Sequence, residues 1–349
     1  MPSSPRRKTR TINLGGVLIG SDHPIVLQSM TNTPTKDRQK TLTQIKALGD
    51  AGAQIVRLAV LDQEDADALP ALILQSPVPL IADIHFDARL ALRSLEAGIA
   101  GLRLNPGNIK NKSEIKSIVE SAASRKVPIR IGVNAGSLDK ERFSHPTAEN
   151  MVKSALEHLA ILEELDFFDI KVSLKSSDLT TMIEAYRLFA PLRDYPLHLG
   201  VTEAGPLLTS AVRSSMGIGT LLLDGIGDTI RVSVSGDPVK ELPIAREILV
   251  SLNLRPGIKW ISCPSCGRTT VDTEALTIQL QNEFNSLELP ITIAVMGCVV
   301  NGPGEAREAD LALVGGPLES LIYLKGQLLK KIPNAEILSA MRQAIQENF

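Results

Sequence analysis

Short apolar runs recur between positions 24 and 235, each ending on polar residues and each followed by a stretch of mixed polarity. They are PIVLQSMTN (24–32), AQIVRLAV (53–60), PLIADIHF (79–86), AGLRLN (100–105), PIRIGVN (128–134), DIKVSLK (169–175), LHLGVTE (197–203) and TIRVSVS (229–235). They start 21 to 41 residues apart and are rich in Val, Ile and Leu. Apolar runs of this length, separated by enough chain for a crossover helix, predict parallel strands buried on both faces. Between them, KTLTQIKALGDAG and MVKSALEHLAILEEL carry apolar residues at helical spacing. Eight such units in about 210 residues predict an α/β (β/α)8 TIM barrel. An open doubly wound sheet is the competing fold. It would carry a glycine-rich phosphate loop after its first strand, and QSMTNTPT is not one. Residues 11–23, TINLGGVLIGSDH, read as a β-hairpin closing the barrel floor.

After LNLRPGIKW (252–260) the repeat stops. CPSCGR follows, then a helical stretch TEALTIQLQNEF, a strand PITIAVM, the segment GCVVNGPGEA (297–306), a strand DLALVGG and a closing helix AEILSAMRQAIQEN. The chain therefore divides into a substrate-binding barrel over residues 1–254 and a smaller α+β domain over 255–349.

Barrel enzymes keep their chemistry at the carboxyl ends of the strands. Those ends present Gln28, Arg57, Asp83 with His85, Arg103 with Asn105, Arg130 with Asn134, Lys171 with Lys175, Glu203, and Arg231. Cations in apolar strands are costly unless paired or facing a charged ligand. Only Asp83 and Glu203 sit among them, so the mouth reads as cationic although the chain's formal net charge is −2. Convergent Arg and Lys suit a phosphate or diphosphate. Any single arginine could instead pair with Asp62, Asp87 or Asp169 and brace the barrel. Glu203 and Asp83 are candidates for acid or base work at a raised pKa, against the plainer roles of helix cap or ion-pair partner. Aromatic residues make up 3% of the chain, and a pI near 6.3 supplies no field for nucleic acid. No apolar run approaches the ~20 residues of a membrane span. The basic start, MPSSPRRKTR, lacks the apolar core of a secretory signal, so a cytoplasmic protein is expected.

The three cysteines are Cys263, Cys266 and Cys298, an odd count clustered in the last quarter of the chain. In a cytosolic protein that pattern points to metal rather than disulfides. The two-residue gap in Cys263-Pro-Ser-Cys266 lets both thiolates face one centre. A turn through Gly302, Pro303 and Gly304 would fold Glu305 back towards Cys298 as a fourth ligand. Zinc and a 4Fe–4S cluster both remain open on this spacing. The carboxylate favours the cluster, because structural zinc usually closes with Cys or His.

QSMTNT (28–33), ADIHFD (82–87), LRLNPGNI (102–109), PIRIGVNAGSL (128–138), KVSLKSSD (171–178), LHLGVTEAG (197–205), GIGDTIRVS (225–233), CPSCGR (263–268) and GCVVNGPGEA (297–306) together resemble the (E)-4-hydroxy-3-methylbut-2-enyl diphosphate synthase family in its bacterial two-domain form. The likeness implies a 4Fe–4S cluster on Cys263, Cys266, Cys298 and Glu305. It implies reductive opening of 2-C-methyl-D-erythritol 2,4-cyclodiphosphate, with flavodoxin or ferredoxin as electron donor, in a head-to-tail homodimer. It implies that Arg57, Arg103, Asn105, Arg130, Asn134, Lys171 and neighbouring strand-end groups such as Arg231 grip the diphosphate, with Glu203 and Asp83 catalytic. Two other classes compete: a phosphosugar-type barrel lyase with a structural zinc module, using Lys171 or Lys175 as a Schiff base, and a non-catalytic iron–sulfur sensor.

Overall fold

The computed structural model describes residues 5–349 apart from 86, 105–108, 110 and 140. Contacts divide the chain into two compact units at Leu254/Arg255.

In the first unit a hairpin, β1 (Ile12–Leu14) and β2 (Val17–Ile19), precedes eight strands: β3 (Val26–Met30), β4 (Ile55–Ala59), β5 (Leu80–Asp83), β6 (Gly101–Leu104), β7 (Ile129–Asn134), β8 (Ile170–Lys175), β9 (His198–Leu199) and β10 (Thr229–Ile230). Their order is β8-β7-β6-β5-β4-β3-β10-β9, all neighbours are parallel, and a Val172–Leu197 bridge joins the two ends. This is the closed barrel that the eight runs predict. Eight helices alternate with the strands: α1 (Arg38–Asp50), α2 (Gln63–Gln75), α3 (Ala88–Glu96), α4 (Lys112–Arg125), α5 (Ala148–Glu163), α6 (Leu179–Phe189), α7 (Leu207–Leu223) and α8 (Glu241–Ser251). Strands seven and eight are shorter than their apolar runs suggest. Val201 and Val232 stay buried but lie beyond the paired residues, where the backbone opens towards the mouth.

The hairpin closes the floor as expected. Ile12, Leu14 and Ile19 form one buried cluster with Val26, Ile55 and Ile81, which lie at the amino-terminal ends of their strands. Gly101 belongs to this plug, because a Cβ there would lie 3.0 Å from Leu14 Cδ1. The basic amino-terminal run latches onto the same end. Arg6 pairs with Asp228 at 2.9 Å, Arg7 donates to the Ala190, Arg193 and Tyr195 carbonyls, and Arg10 pairs with Asp194. At the opposite end, several strand-to-helix loops finish on a side-chain cap. Asp62 accepts from the Asp65 amide, Asp87 from Arg89, Thr147 from Asn150 and Asp178 from Thr181. Asp62 and Asp87 are thereby committed to their helices and to Lys36 and Arg89, rather than to the barrel arginines.

The second unit is a five-stranded sheet, β11 (Lys259–Ser262), β12 (Thr292–Met296), β13 (Leu311–Val314), β14 (Glu319–Leu324) and β15 (Gln327–Pro333), in sequential order. The first three strands are parallel and the last two antiparallel. One face buries Ile293, Val295, Leu311 and Leu313 under α9 (Thr273–Phe284) and α11 (Ile337–Asn348). The other face is built from Ala294, Met296, Ala312 and Val314 under Ala306 and Ala309 at α10 (Gly302–Glu308). Small residues on both sides let α10 sit close to the sheet. Among the described residues no helix is long and apolar enough to cross a membrane.

Candidate active site

Alternation along the barrel strands turns their polar residues inward, one above another. Arg57, Asp83, Arg103, Arg130 and Lys171 lie on neighbouring strands β4 to β8, and the last four are successive register partners. Two glycines make room for them. A Cβ on Gly132 would stand 2.9 Å from Arg103 Nε, and one on Gly200 would stand 2.6 Å from the Arg231 carbonyl and 2.7 Å from Lys175 Nζ. Glycine inside or just past a strand, Gly132 in β7 and Gly200 after β9, thus marks where a long cationic side chain enters the lumen.

Asp83 is 6% exposed and touches three bases: Arg57 at 3.3 Å, Arg103 at 3.2 Å and His85 at 3.4 Å. Burial pushes its carboxyl up, but Arg57, the His85 hydrogen bond and Arg103 outweigh it and hold the group below the ordinary carboxylate range. The raised pKa expected for Asp83 is therefore corrected. Two guanidinia close to a buried carboxylate favour the anion more than burial opposes it. Arg103 also donates to the Gly132 carbonyl at 3.3 Å, and Arg57 to Met30 Sδ at 3.0 Å. Burial, then the fields of Arg231 and Arg103 against that of Asp83, push the Arg57 guanidinium down to about 10, so it stays charged at neutral pH.

Glu241, which the strand-end reading missed, is a second acid in the barrel. It opens α8, is 1% exposed, and holds Arg231 through both oxygens at 3.0 and 3.2 Å. It also accepts from Ser29 Oγ at 2.8 Å and the Val234 amide at 3.3 Å. The sequence signal was DPVKE, in which proline starts a helical turn and an acid follows at the helix start. Among the described residues Arg130 and the two lysines have no such partner. Arg130 Nε and Nη1 and Lys171 Nζ are fully buried without a hydrogen bond to a described residue. Six bases (Arg57, Arg103, Arg130, Lys171, Lys175, Arg231) thus face three carboxylates in the described interior, Asp83, Glu241 and the deeper Asp228. That imbalance fits a ligand carrying several negative charges.

The remaining expected residues separate. Asn134 ends β7, half-buried, and Asn105 lies outside the described residues. Lys171 is the second residue of β8, four positions below Lys175, which ends the strand. Glu203 is exposed beyond β9 with a left-handed backbone, φ 55°, so the barrel alone does not supply the partly dry surroundings expected for it. A non-glycine residue in that conformation is strained, a feature concentrated at functional sites.

In the second unit Cys263 follows β11 and Cys298 follows β12, so adjacent parallel strands deliver both to the same end of the sheet. Cys263 packs on the face that carries α10, where Glu305 stands in the first helical turn. GPG is not the separate tight turn expected but the first turn of α10. Gly302 starts the helix, and it is glycine because a Cβ would lie 2.4 Å from Val314 Cγ1. All three cysteines are free thiols. Among the described residues no three Cys, His, Asp or Glu side chains gather as a metal-holding group. The donor set nevertheless suits a thiolate-held centre. The Val300 amide, then those of Asn301 and Arg268's side chain, lower the Cys298 thiol against the effect of burial, as hydrogen bonds to cluster sulfurs do.

Fold and side chains define a barrel with an anion-seeking interior, joined to a separate thiol-bearing α+β unit. The chain belongs to the GcpE family: residues 9–246 match the GcpE TIM-barrel domain and residues 259–347 the GcpE protein C-terminal domain. It is 51% identical over 346 residues to a 4-hydroxy-3-methylbut-2-en-1-yl diphosphate synthase (flavodoxin) of Geobacter sulfurreducens, covering 98% of each chain. It is 48% identical to the enzyme of that name from Clostridium perfringens, covering 98% of this chain and 99% of the other. Among solved structures, dihydropteroate synthase from Stenotrophomonas maltophilia superposes with a TM-score of 0.53 at 11% identity, over 69% of this chain and 98% of that one. That likeness is one of fold alone.

Proposed function

We propose that this chain is a 4-hydroxy-3-methylbut-2-enyl diphosphate synthase. It opens 2-C-methyl-D-erythritol 2,4-cyclodiphosphate by two-electron reduction with loss of water, in the methylerythritol phosphate route to isoprenoids. The carrying observation is the buried excess of guanidinium and ammonium groups in the barrel of a chain about half identical, across both units, to synthases of that name. The competing lyase and sensor readings find no support among those relatives.

Arg57, Arg103, Arg130, Lys175 and Arg231 grip the diphosphate, with Asn105, Asn134 and the deeper Lys171 completing the set. Asp83 and Glu241 hold Arg57, Arg103 and Arg231 in place, so these guanidinia are oriented before the ligand arrives. As negative charge develops on the opened diphosphate, donors that are already aimed need no reorganisation. Asp83 enters catalysis as a fixed anion and Glu203 as the proton donor to the departing oxygen. Cys263, Cys266, Cys298 and Glu305 would hold a 4Fe–4S cluster, which supplies single electrons and a Lewis-acidic iron when bound. Flavodoxin or ferredoxin feeds it, in the cytoplasm, where thiols stay reduced. Iron and sulfide analysis of anaerobically purified protein tests this. About four of each per chain are expected for such a cluster, whereas one zinc without sulfide would return the chain to the lyase reading.

The site is shared between two subunits in a head-to-tail homodimer. The helix α8 returns from the mouth to the floor, and residues 252–258 then lead to β11. Seven extended residues reach at most ~25 Å, which favours capping a partner's barrel over climbing back to the chain's own. Mixing Cys298→Ala subunits with Glu203→Gln subunits is expected to restore activity in hybrid dimers. Capping within one chain predicts no restoration.

A further inference from the structure

We propose that Lys171 is largely without its proton above neutral pH in the ligand-free barrel and takes one up when a diphosphate enters above it, so that ligand and proton bind together. This rests on the anion-binding reading of the barrel and adds to it a residue and a proton.

Lys171 is 1% exposed, and its Nζ has no hydrogen-bonding partner among the described residues. Its surroundings are basic on nearly every side. Arg130 is its register partner on β7, with two guanidinium nitrogens likewise unpartnered. Arg57 acts on it from β4, and Lys175 lies further along its own strand. On β9, His198 is fully buried, with Nδ1 2.7 Å from Thr229 Oγ1 and Nε2 without a partner among the described residues. On α6, the Tyr186 hydroxyl donates to the His198 carbonyl and accepts from the Leu174 amide. The one carboxylate acting on Lys171 is Asp228, which is already committed to Arg6, Thr9 Oγ1 and the Leu197 amide. The other carboxylates of the described interior, Asp83 and Glu241, serve the arginines.

An ammonium in this position loses its hydration without compensation, and lysine, unlike arginine, can shed its proton. Burial first, then Arg130 and Arg57 against Asp228, push it down to about 7. A bound diphosphate offsets the charge of the neighbouring guanidinia and adds negative charge above Lys171, which favours the protonated form. The sign follows from linkage. The ligand raises the value, so below it the free protein already carries the proton and binding takes up none. Between it and the raised value of the complex, each binding event takes up a proton, and affinity falls about tenfold per pH unit.

The test is calorimetric titration of the anaerobic holoprotein, without reductant, with 2-C-methyl-D-erythritol 2,4-cyclodiphosphate in paired buffers of different ionisation enthalpy. Each phosphorus of this ligand bears one strongly acidic hydroxyl, so the ligand itself does not titrate near neutrality. Uptake of about one proton near pH 8, and almost none near pH 6, is expected. Lys171→Met, or Lys171→Gln should the first not fold, is expected to lose the uptake and flatten the pH dependence of affinity. No uptake in the wild type near pH 8 overturns the proposal. So does uptake that persists in the Lys171 variants, which would move the proton to Lys175 or His198. Either result leaves the diphosphate ligand standing, whereas no heat of binding at either pH removes that as well.

Discussion

Glu203→Gln is expected to lower turnover by about 10²–10⁴, the usual contribution of a positioned proton donor, while cluster content and cyclodiphosphate affinity stay near wild type. The side chain keeps its size and loses only its acid. The backbone offers a second reason to place chemistry here. Glu203 holds φ 55° and Gly205 follows at φ 97°, so the loop after β9 keeps a strained residue where an asparagine or glycine would sit at lower cost. Selection for stability alone would not retain that strain. Single-turnover kinetics with pre-reduced protein separates the chemical step from electron delivery. A normal rate for that step in Glu203→Gln would remove Glu203 as the proton donor.

Asp83→Asn is the second large effect. The carboxylate sits between Arg57 and Arg103 with His85 beside it, nearly out of solvent. Asparagine keeps the shape but leaves the guanidinia without their counter-charge. Breaking a buried pair in this way costs about 3–5 kcal/mol, which for a unit of this size lowers its melting temperature by roughly 6–20 °C. Because folding depresses the Asp83 carboxyl, its contribution is complete above the unfolded value near 3.9 and is lost only as pH falls below it. The gap between wild type and variant should therefore hold through the neutral range and narrow in acid. Denaturant melts at neutral pH and near pH 2 check both parts. A variant as stable as wild type at neutral pH would mean that the arginines do not depend on Asp83.

The barrel was legible because strands buried on both faces must be apolar along their length, and eight such runs at crossover spacing leave few alternatives. Strand β11 was not, because KWIS is short and runs directly into the first cysteine. The pair β14 and β15 also escaped. Leu328, Leu329 and the lysines after them give a solvent-facing edge strand no clean alternation. In the site, the basic strand residues announced a cationic interior, since few other reasons keep arginine inside an apolar run. Glu241 lies outside any apolar run, and only the return of α8 across the barrel end brings it to Arg231.

What the sequence determined by itself is therefore what is periodic or chemically costly: the eight-unit barrel, the hairpin floor, the cationic strands, and three thiols clustered in the last quarter of the chain. The tertiary structure decided which charges meet. Residues far apart in sequence, such as Arg231 just beyond β10 and Ser29 on β3, converge on one carboxylate only after the barrel closes. The role of Gly302 is likewise spatial, since the atom it must avoid belongs to Val314 on β13. Asp83 is held as an anion, and the proton of Lys171 is loosened, for the same physical reason. A group's charge state depends on what surrounds it once water is removed, and the order of residues along the chain does not carry that information.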